Sequence, residues 1–499
     1  MLMLVRVCDP TITARVYYKG LVNILVPVLM VLLYLSLPVI ALYAHLKCAK
    51  YRVVLICLSI CLCITVYFVI IKTLQVTGVV SDSQDGEGVW FDIGSSVSTV
   101  FILSQRCITV LLLTYGGETL ADGSSDQLSS FIWWFYWCLY FGWSITTLLS
   151  CGLHAKTTTS GGLYIVSGHA LSLILIIILL IVNWRRLVPE TRQRIVNPLF
   201  LIAKVFNFAR RTPHPIHRSS FSSWDPAKVS RLDLAKHSLG GPFTTEEVES
   251  VKVFLNLLPL LICVQLFYLL SPVPLGRLNY HEKPFGKCLI SSSHFIHYCL
   301  ALVLIPLKQL GLKYIKFLTL SLLQKIGCGF FLVLMSRILL IGVGVYVVDS
   351  DSNYTCELMT DTRMPYNETV TGFVSDHTLL IIPDILGGLG SILVIPSSLE
   401  FFIAQSPYHM RTLIIGIFMG LGNVFEILSW QLLRIFKLPF MEEIKFGCEF
   451  YVFLTGFLVL CLSYSLFLCQ AKRYKLRVRD YSTSESSWFS YGSNLGLND

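Results

Sequence analysis

Among the ionisable side chains inside long apolar stretches of this 499-residue chain, three stand out as candidates: Glu400 in SSLEFFIAQ, Arg337 in VLMSRILLIG and Arg106 in LSQRCITV. A charge at the centre of a spanning helix costs about 2.5–3.5 kcal/mol on insertion scales. Each of the three is therefore expected to face a partner, water or a bundle interior. An ionised carboxylate at such a place attracts a substrate ammonium, and the protonated acid releases it. Glu400 fits that chemistry. It equally fits a carboxylate hydrogen-bonded between helices, or one reaching headgroups. Arg337 is a counter-ion for Glu400 or for a substrate carboxylate, or a structural partner of Glu426 or Asp384. Arg106 is a candidate for binding or coupling. Tyr136 and Tyr140 are four residues apart and share a helix face, so both are candidates for lining a cavity. The rest of the aromatic run Phe131–Trp137 fits a membrane interface, where Trp and Tyr gather.

Other chemistries are excluded on spacing. His294, His297 and Cys299 lack a placed third ligand, so no metal site is expected. The glycines at 387, 388, 390, 416, 420 and 422 read as close helix packing, since the lysine, serine and strand of a phosphate loop are lacking. No nucleophile, base and orienting group occur at a meaningful spacing. The chain is expected to be no enzyme, to carry no cofactor and to bind no nucleic acid.

The elements that position these residues are membrane-spanning helices. Hydrophobic residues make up 54% of the chain and charged ones 14%, against about 25% charge in soluble domains. The mean hydropathy is +0.68. Eleven apolar runs are long enough to span: 21–46, 53–71, 95–113, 131–149, 163–182, 251–270, 289–307, 326–348, 378–404, 412–430 and 450–469. Each is too continuous for a barrel strand, and a spanning helix satisfies its own backbone in lipid. Between the fifth and sixth runs lies a polar insert, 183–250, with eleven basic and six acidic side chains. Arg185 and Arg186 flank a helix there, which places the insert in the cytosol. Counting outward, the link 349–377 is external, and it holds the glycosylation sequons at Asn353 and Asn367. Five runs before the insert would leave the N-terminus outside. Yet Arg6, Arg15 and Lys19 make it basic, which points to a lost or unrecognised first helix.

Three stretches carry a family resemblance: YGGETLADGSSDQLSSFIWWFYW (Tyr115–Trp137), SRLDLAKHSLGGPFTTEEVESVKVFLNLLPLL (Ser230–Leu261) and LEFFIAQSPYHMRTLIIGIF (Leu399–Phe418). Together they resemble the proton-dependent oligopeptide transporter family, the solute carrier 15 type of the major facilitator superfamily. The resemblance runs from about Leu37 to Cys469. It implies twelve helices in six plus six, and an acidic stretch before helix seven, as at Glu246, Glu247 and Glu249. Glu400 matches the family's helix-ten glutamate, associated with the substrate's amino terminus. The family's helix-one Glu-x-x-Glu-Arg has as its best match Thr11-Ile12-Thr13-Ala14-Arg15. Both acids are absent and Arg15 is the surviving candidate. Further departures stand at His45 and Ala49, at Thr109 one turn from Arg106, at Tyr140 and at Ile403.

The expectation is an all-α polytopic membrane protein with a major-facilitator-type two-bundle fold of 11 or 12 transmembrane helices. Residues 1–20 would be a remnant of helix one, 21–182 the first bundle, 183–250 a cytosolic linker, 251–469 the second bundle and 470–499 a cytosolic tail. The expected function is secondary transport of di- or tripeptide-like or related small solutes by alternating access. A proton is the candidate coupling ion and Glu400 the substrate contact. The rival expectation is a transport-deficient sensor or scaffold on the same fold. The chain is expected to be a monomer in the plasma or an endolysosomal membrane.

Overall fold

The computed structural model describes residues 22–47, 50–77, 89–121, 125–154, 160–183, 197–212, 230–269, 295–310, 320–350, 381–435 and 448–474. Every expected apolar run is helical within them. The helices before the linker are α1 (Val22–Leu35), α2 (Leu37–Leu46), α3 (Lys50–Val76), α4 (Val89–Ala121), α5 (Ser125–His154) and α6 (Ser160–Val182). The linker contributes α7 (Pro198–Arg211). After it come α8 (Thr245–Gln265), α9 (Phe295–Gln309), α10 (Leu322–Ser350), α11 (Ile381–Gln405), α12 (Arg411–Ile435) and α13 (Cys448–Arg473). Among the described residues, nine helical spans are long and apolar enough to cross a membrane. The chain is an integral, multi-pass membrane protein.

The first run is two helices rather than one. Ser36 takes the place of a helical residue, but its hydroxyl turns back to the Leu33 carbonyl at 2.6 Å, and Pro38 has no N–H to offer the preceding turn. The helix bends there and continues as α2.

Before the linker, α3 packs on α4 and α6 around Val54, Leu58, Cys61, Phe101, Ile108, Leu111 and Leu173. After it, α10 and α11 form the most extensive contact among the described elements. Small residues allow it. A methyl group on Gly390 would lie 2.6 Å from the Gly329 carbonyl, and one on Gly329 would lie 2.7 Å from the Gly390 carbonyl. Two seams join the helices on either side of the linker. In one, α5 packs on α9 and α11. In the other, α12 packs on α1, α2 and α4.

The linker is not the plain polar insert its composition suggests. Asn197 caps α7, its side chain accepting from the Leu199 amide at 3.1 Å, with Pro198 in the first helical turn. Residues 231–239 then form two short 3-10 turns. Gly240 follows with φ 84°, a left-handed conformation. A side chain on Gly241 would meet the Ala235 backbone at 2.2 Å. The turn brings Phe243 back so that its amide donates to the Ala235 carbonyl at 3.1 Å. Thr244 and Glu247 close a reciprocal capping box on α8. The acidic stretch before α8 is thus explained: Glu246 and Glu247 occupy the first turn, where the helix dipole favours negative charge.

Candidate functional site

Glu400 projects from the last two turns of α11 toward the α5 seam. Trp133 of α5 donates its indole N–H to Glu400 Oε2 at 3.1 Å. The Trp133 ring is 3% exposed, so it is a packed side chain and not an interfacial anchor. One face of the ring carries Lys308 of α9, whose Nζ stands 3.6 Å from the ring centroid. Lys308 also donates to Ser129 Oγ at 3.4 Å, and it lies within electrostatic reach of Glu400. An ammonium, an indole and a carboxylate therefore form one assembly drawn from three helices.

Above Trp133 on the same face of α5 come Tyr136 and Tyr140, both buried, with ring centroids 6.2 Å apart. Tyr140 also meets His297 of α9 at 5.0 Å and Tyr298 at 6.1 Å. Trp137 donates to the Leu302 carbonyl at 3.2 Å. The α5–α9 seam is aromatic along its length, and the tyrosines are part of that packing.

The other seam is charged. Arg106 of α4 pairs with Glu426 of α12 at 3.6 Å, each side chain 27% exposed. Tyr268, just beyond α8, is within electrostatic reach of both. The Gln265 amide, fully buried, lies close to Gly422, one turn before Glu426. Arg337 of α10 is buried and interacts with Asp384 of α11. Next to that pair, the Ser336 hydroxyl donates to the Pro383 carbonyl at 2.8 Å. Of the partners expected for Arg337, the structure sets Asp384 beside it, while Glu426 is matched to Arg106. Arg15, Asn353 and Asn367 lie outside the described residues.

A third assembly closes the end of the bundle where α6 leaves for the linker and α8 returns, here termed the linker face. Glu118 of α4 receives His45 Nδ1 at 3.2 Å, the Lys50 ammonium and the Thr412 hydroxyl. His45 and Lys50 border the α2–α3 link, whereas Thr412 opens α12. One carboxylate thus ties the two sets of helices together. Sequence reading missed Glu118 because the run was taken to end at Leu113, before the Gly116-Gly117 pair. The helix runs through both glycines. A side chain on Gly116 would enter the Phe131 ring, and one on Gly117 would touch Ile403 and Ile415 at 3.3 Å. Lys308 directly follows the apolar run 289–307, which is why its type alone reads as the start of a polar link.

No family model matches the sequence. Solved structures do resemble the fold. The POT family transporter PepTSo aligns with a TM-score of 0.56 at 16% identity, covering 89% of this chain and 88% of that one. A proton:xylose symporter of the major facilitator superfamily, XylE, aligns with a TM-score of 0.52 at 10% identity, covering 93% and 90%. The fold is that of the major facilitator superfamily. A bacterial homologue of the iron transporter ferroportin, in an outward-facing state, aligns with a TM-score of 0.53 at 10% identity over 94% and 97% of the two chains. Within this fold the two seams are the contacts between the two sets of helices. Glu400, Arg106 and Glu118 each stand on one of them.

Proposed function

We propose that the protein is a secondary transporter of small zwitterionic solutes of the di- and tripeptide kind, working by alternating access. Glu400 receives the substrate's ammonium. One observation carries this reading: Glu400 is half-buried on the α5 seam, and the hydrogen bond described for it comes from a neutral donor, the Trp133 indole. Lys308, the nearby cation, is held over the face of that indole. A carboxylate without a cation in ion-pair contact is poised to take one from a ligand. The likeness to POT family structures supports the substrate class. With the linker face in the cytosol, as the charge distribution argues, the Glu118 assembly is the cytosolic gate and Glu400 lies just inside it.

Proteoliposome uptake of a radiolabelled dipeptide tests the reading. Uptake is expected to rise with an inward proton gradient and to fall at least tenfold in Glu400→Gln. Uptake indifferent to both changes defeats the proposal.

A second reading has its own observation. Arg106 and Glu426, the charges that face each other across the other seam, are matched to one another. A pair so matched suits a fold kept for docking and not for transport. A correctly inserted protein that takes up no dipeptide, amino acid or sugar points to that reading.

A further inference from the structure

We propose that α7 is a membrane-surface helix whose outer flank rests in the headgroup layer at the linker face and favours anionic lipid. This does not depend on what the protein transports.

The inner face of α7 is accounted for by the protein. Leu201, Val205 and Ala209 are buried, and Leu201 and Val205 share a core with Ala235, Val248 and Val251. That contact also fixes its height. Val248 and Val251 lie where the apolar run of α8 begins, so α7 packs at the level where α8 passes from headgroups into hydrocarbon.

The outer residues are of the wrong kind for water. Leu199, Phe200 and Phe206 are 42%, 57% and 56% exposed, in a helix that is not one of the spans. Leu199 and Phe206 are seven residues apart, which at about 3.6 residues per turn sets them on one flank beside the half-buried Ile202. Lys204, Arg210 and Arg211 are exposed, and α7 contains no acid. Lys204 Nζ lies 4.2 Å from the Phe200 ring centroid, so the aromatic covers the lysine stem while the ammonium stays outward. Apolar and aromatic residues flanked by bases, at the height of the headgroups, match an anionic bilayer surface. Charge argues against the chain's own segments as occupants. The stretch 213–229 holds Arg218 and Lys228 against Asp225 and would bring bases to bases, as would α7 of a second copy. The tail 475–499 balances Lys475, Arg477 and Arg479 with Asp480, Glu485 and Asp499, so it offers no net negative charge to match the α7 bases.

The test uses the full chain in nanodiscs, with the photo-crosslinking residue p-benzoylphenylalanine at Phe206, at Leu199 or at the opposite-flank Phe208, which packs on the Phe243 ring at 6.3 Å. Lipid adducts are expected at Phe206 and Leu199 but not at Phe208. Adducts to polypeptide alone, or equal lipid labelling at all three sites, overturn the placement. Amide exchange reads the charge preference. In wild type, exchange across 198–211 is expected to be at least fivefold slower in nanodiscs with 30% phosphatidylglycerol than in pure phosphatidylcholine, since one basic residue near an anionic surface is worth roughly fivefold in binding. The Lys204→Gln, Arg210→Gln, Arg211→Gln triple variant should lose that difference and keep its lipid adducts. Equal exchange of wild type in both lipids overturns the anionic preference.

Discussion

At the scale of single residues, Trp133 has the most to reveal. A hydrogen bond to a charged group contributes about 1.5–3 kcal/mol, so the indole N–H is a substantial part of what steadies Glu400. Trp133→Phe keeps an aromatic face for Lys308 and removes only that donor. If Glu400 binds substrate, the change should raise the KM for dipeptide uptake about tenfold and leave the maximal rate within twofold. An unchanged KM would mean that the indole positions nothing. Glu400 was legible in the sequence because a lone carboxylate interrupts an apolar run. Trp133 and Lys308 were not, because their types fit a membrane interface equally well. Only the packing of α5, α9 and α11 turns three ordinary choices into one assembly.

The element whose physics is clearest is the docked end of the linker. Asp233 accepts from Lys236 at 2.7 Å and from Lys252, and Lys236 also reaches Glu249. Burial alone would push the Asp233 carboxyl up, but the hydrogen bonds from Lys236, Lys252 and Ser230 outweigh it and hold it well below the usual carboxylate range. The same bonds, to Asp233 and then Glu249, push Lys236 up. The signs follow by linkage. The lowered Asp233 stabilises the docked linker fully above about pH 4, its unfolded value, and that contribution fades as pH falls toward the folded one. The raised Lys236 contributes below about pH 10.4 and fades as pH rises through its folded value. Corrected amide exchange over 230–243 should therefore stay flat from pH 5 to 9 and accelerate below pH 4. Asp233→Asn should accelerate exchange at pH 7 and blunt the acid limb. The acidic entry to α8 could be read in the sequence, since acids before an apolar run announce a helix start. The helix α7 could not. Its buried Pro198, Leu201, Val205 and Ala209 do recur at helical spacing, but the helix is short and lies in an insert whose many charges read as solvated linker.

For the whole molecule, the apolar runs were legible as helices because lipid allows so few backbone solutions. Which helices touch was not, since every run is apolar on all sides and periodicity gives no facing. Glu118 shows what that omission conceals. It holds His45 and Lys50 on one side and Thr412 on the other. Glu118→Gln would leave Lys50 without its carboxylate. The expected loss is on the order of 2 kcal/mol, less than the 3–5 of a fully buried pair because both groups keep some exposure. Exchange in the 408–415 segment should accelerate at least tenfold, while that of the α10–α11 pair stays unchanged. Equal acceleration everywhere would signal general unfolding and count against a gate.

Where α12 crosses the bend between α1 and α2, a side chain on Gly416 would come within 2.7 Å of Pro38 Cα, and one on Gly420 within 2.9 Å of the Tyr34 carbonyl. Backbone rests on backbone there, and no side chain of either glycine interlocks with the opposite helix. Such a contact behaves as a smooth bearing. It resists compression, because nothing can move closer, yet rotation about it extracts no knob from any hole. If the two sets of helices rock as the proposed alternating access requires, this point is the natural fulcrum. The ease of that motion would then be set at the contacts on either side, Glu118 at one level and Arg106–Glu426 at the other, and not at the fulcrum itself.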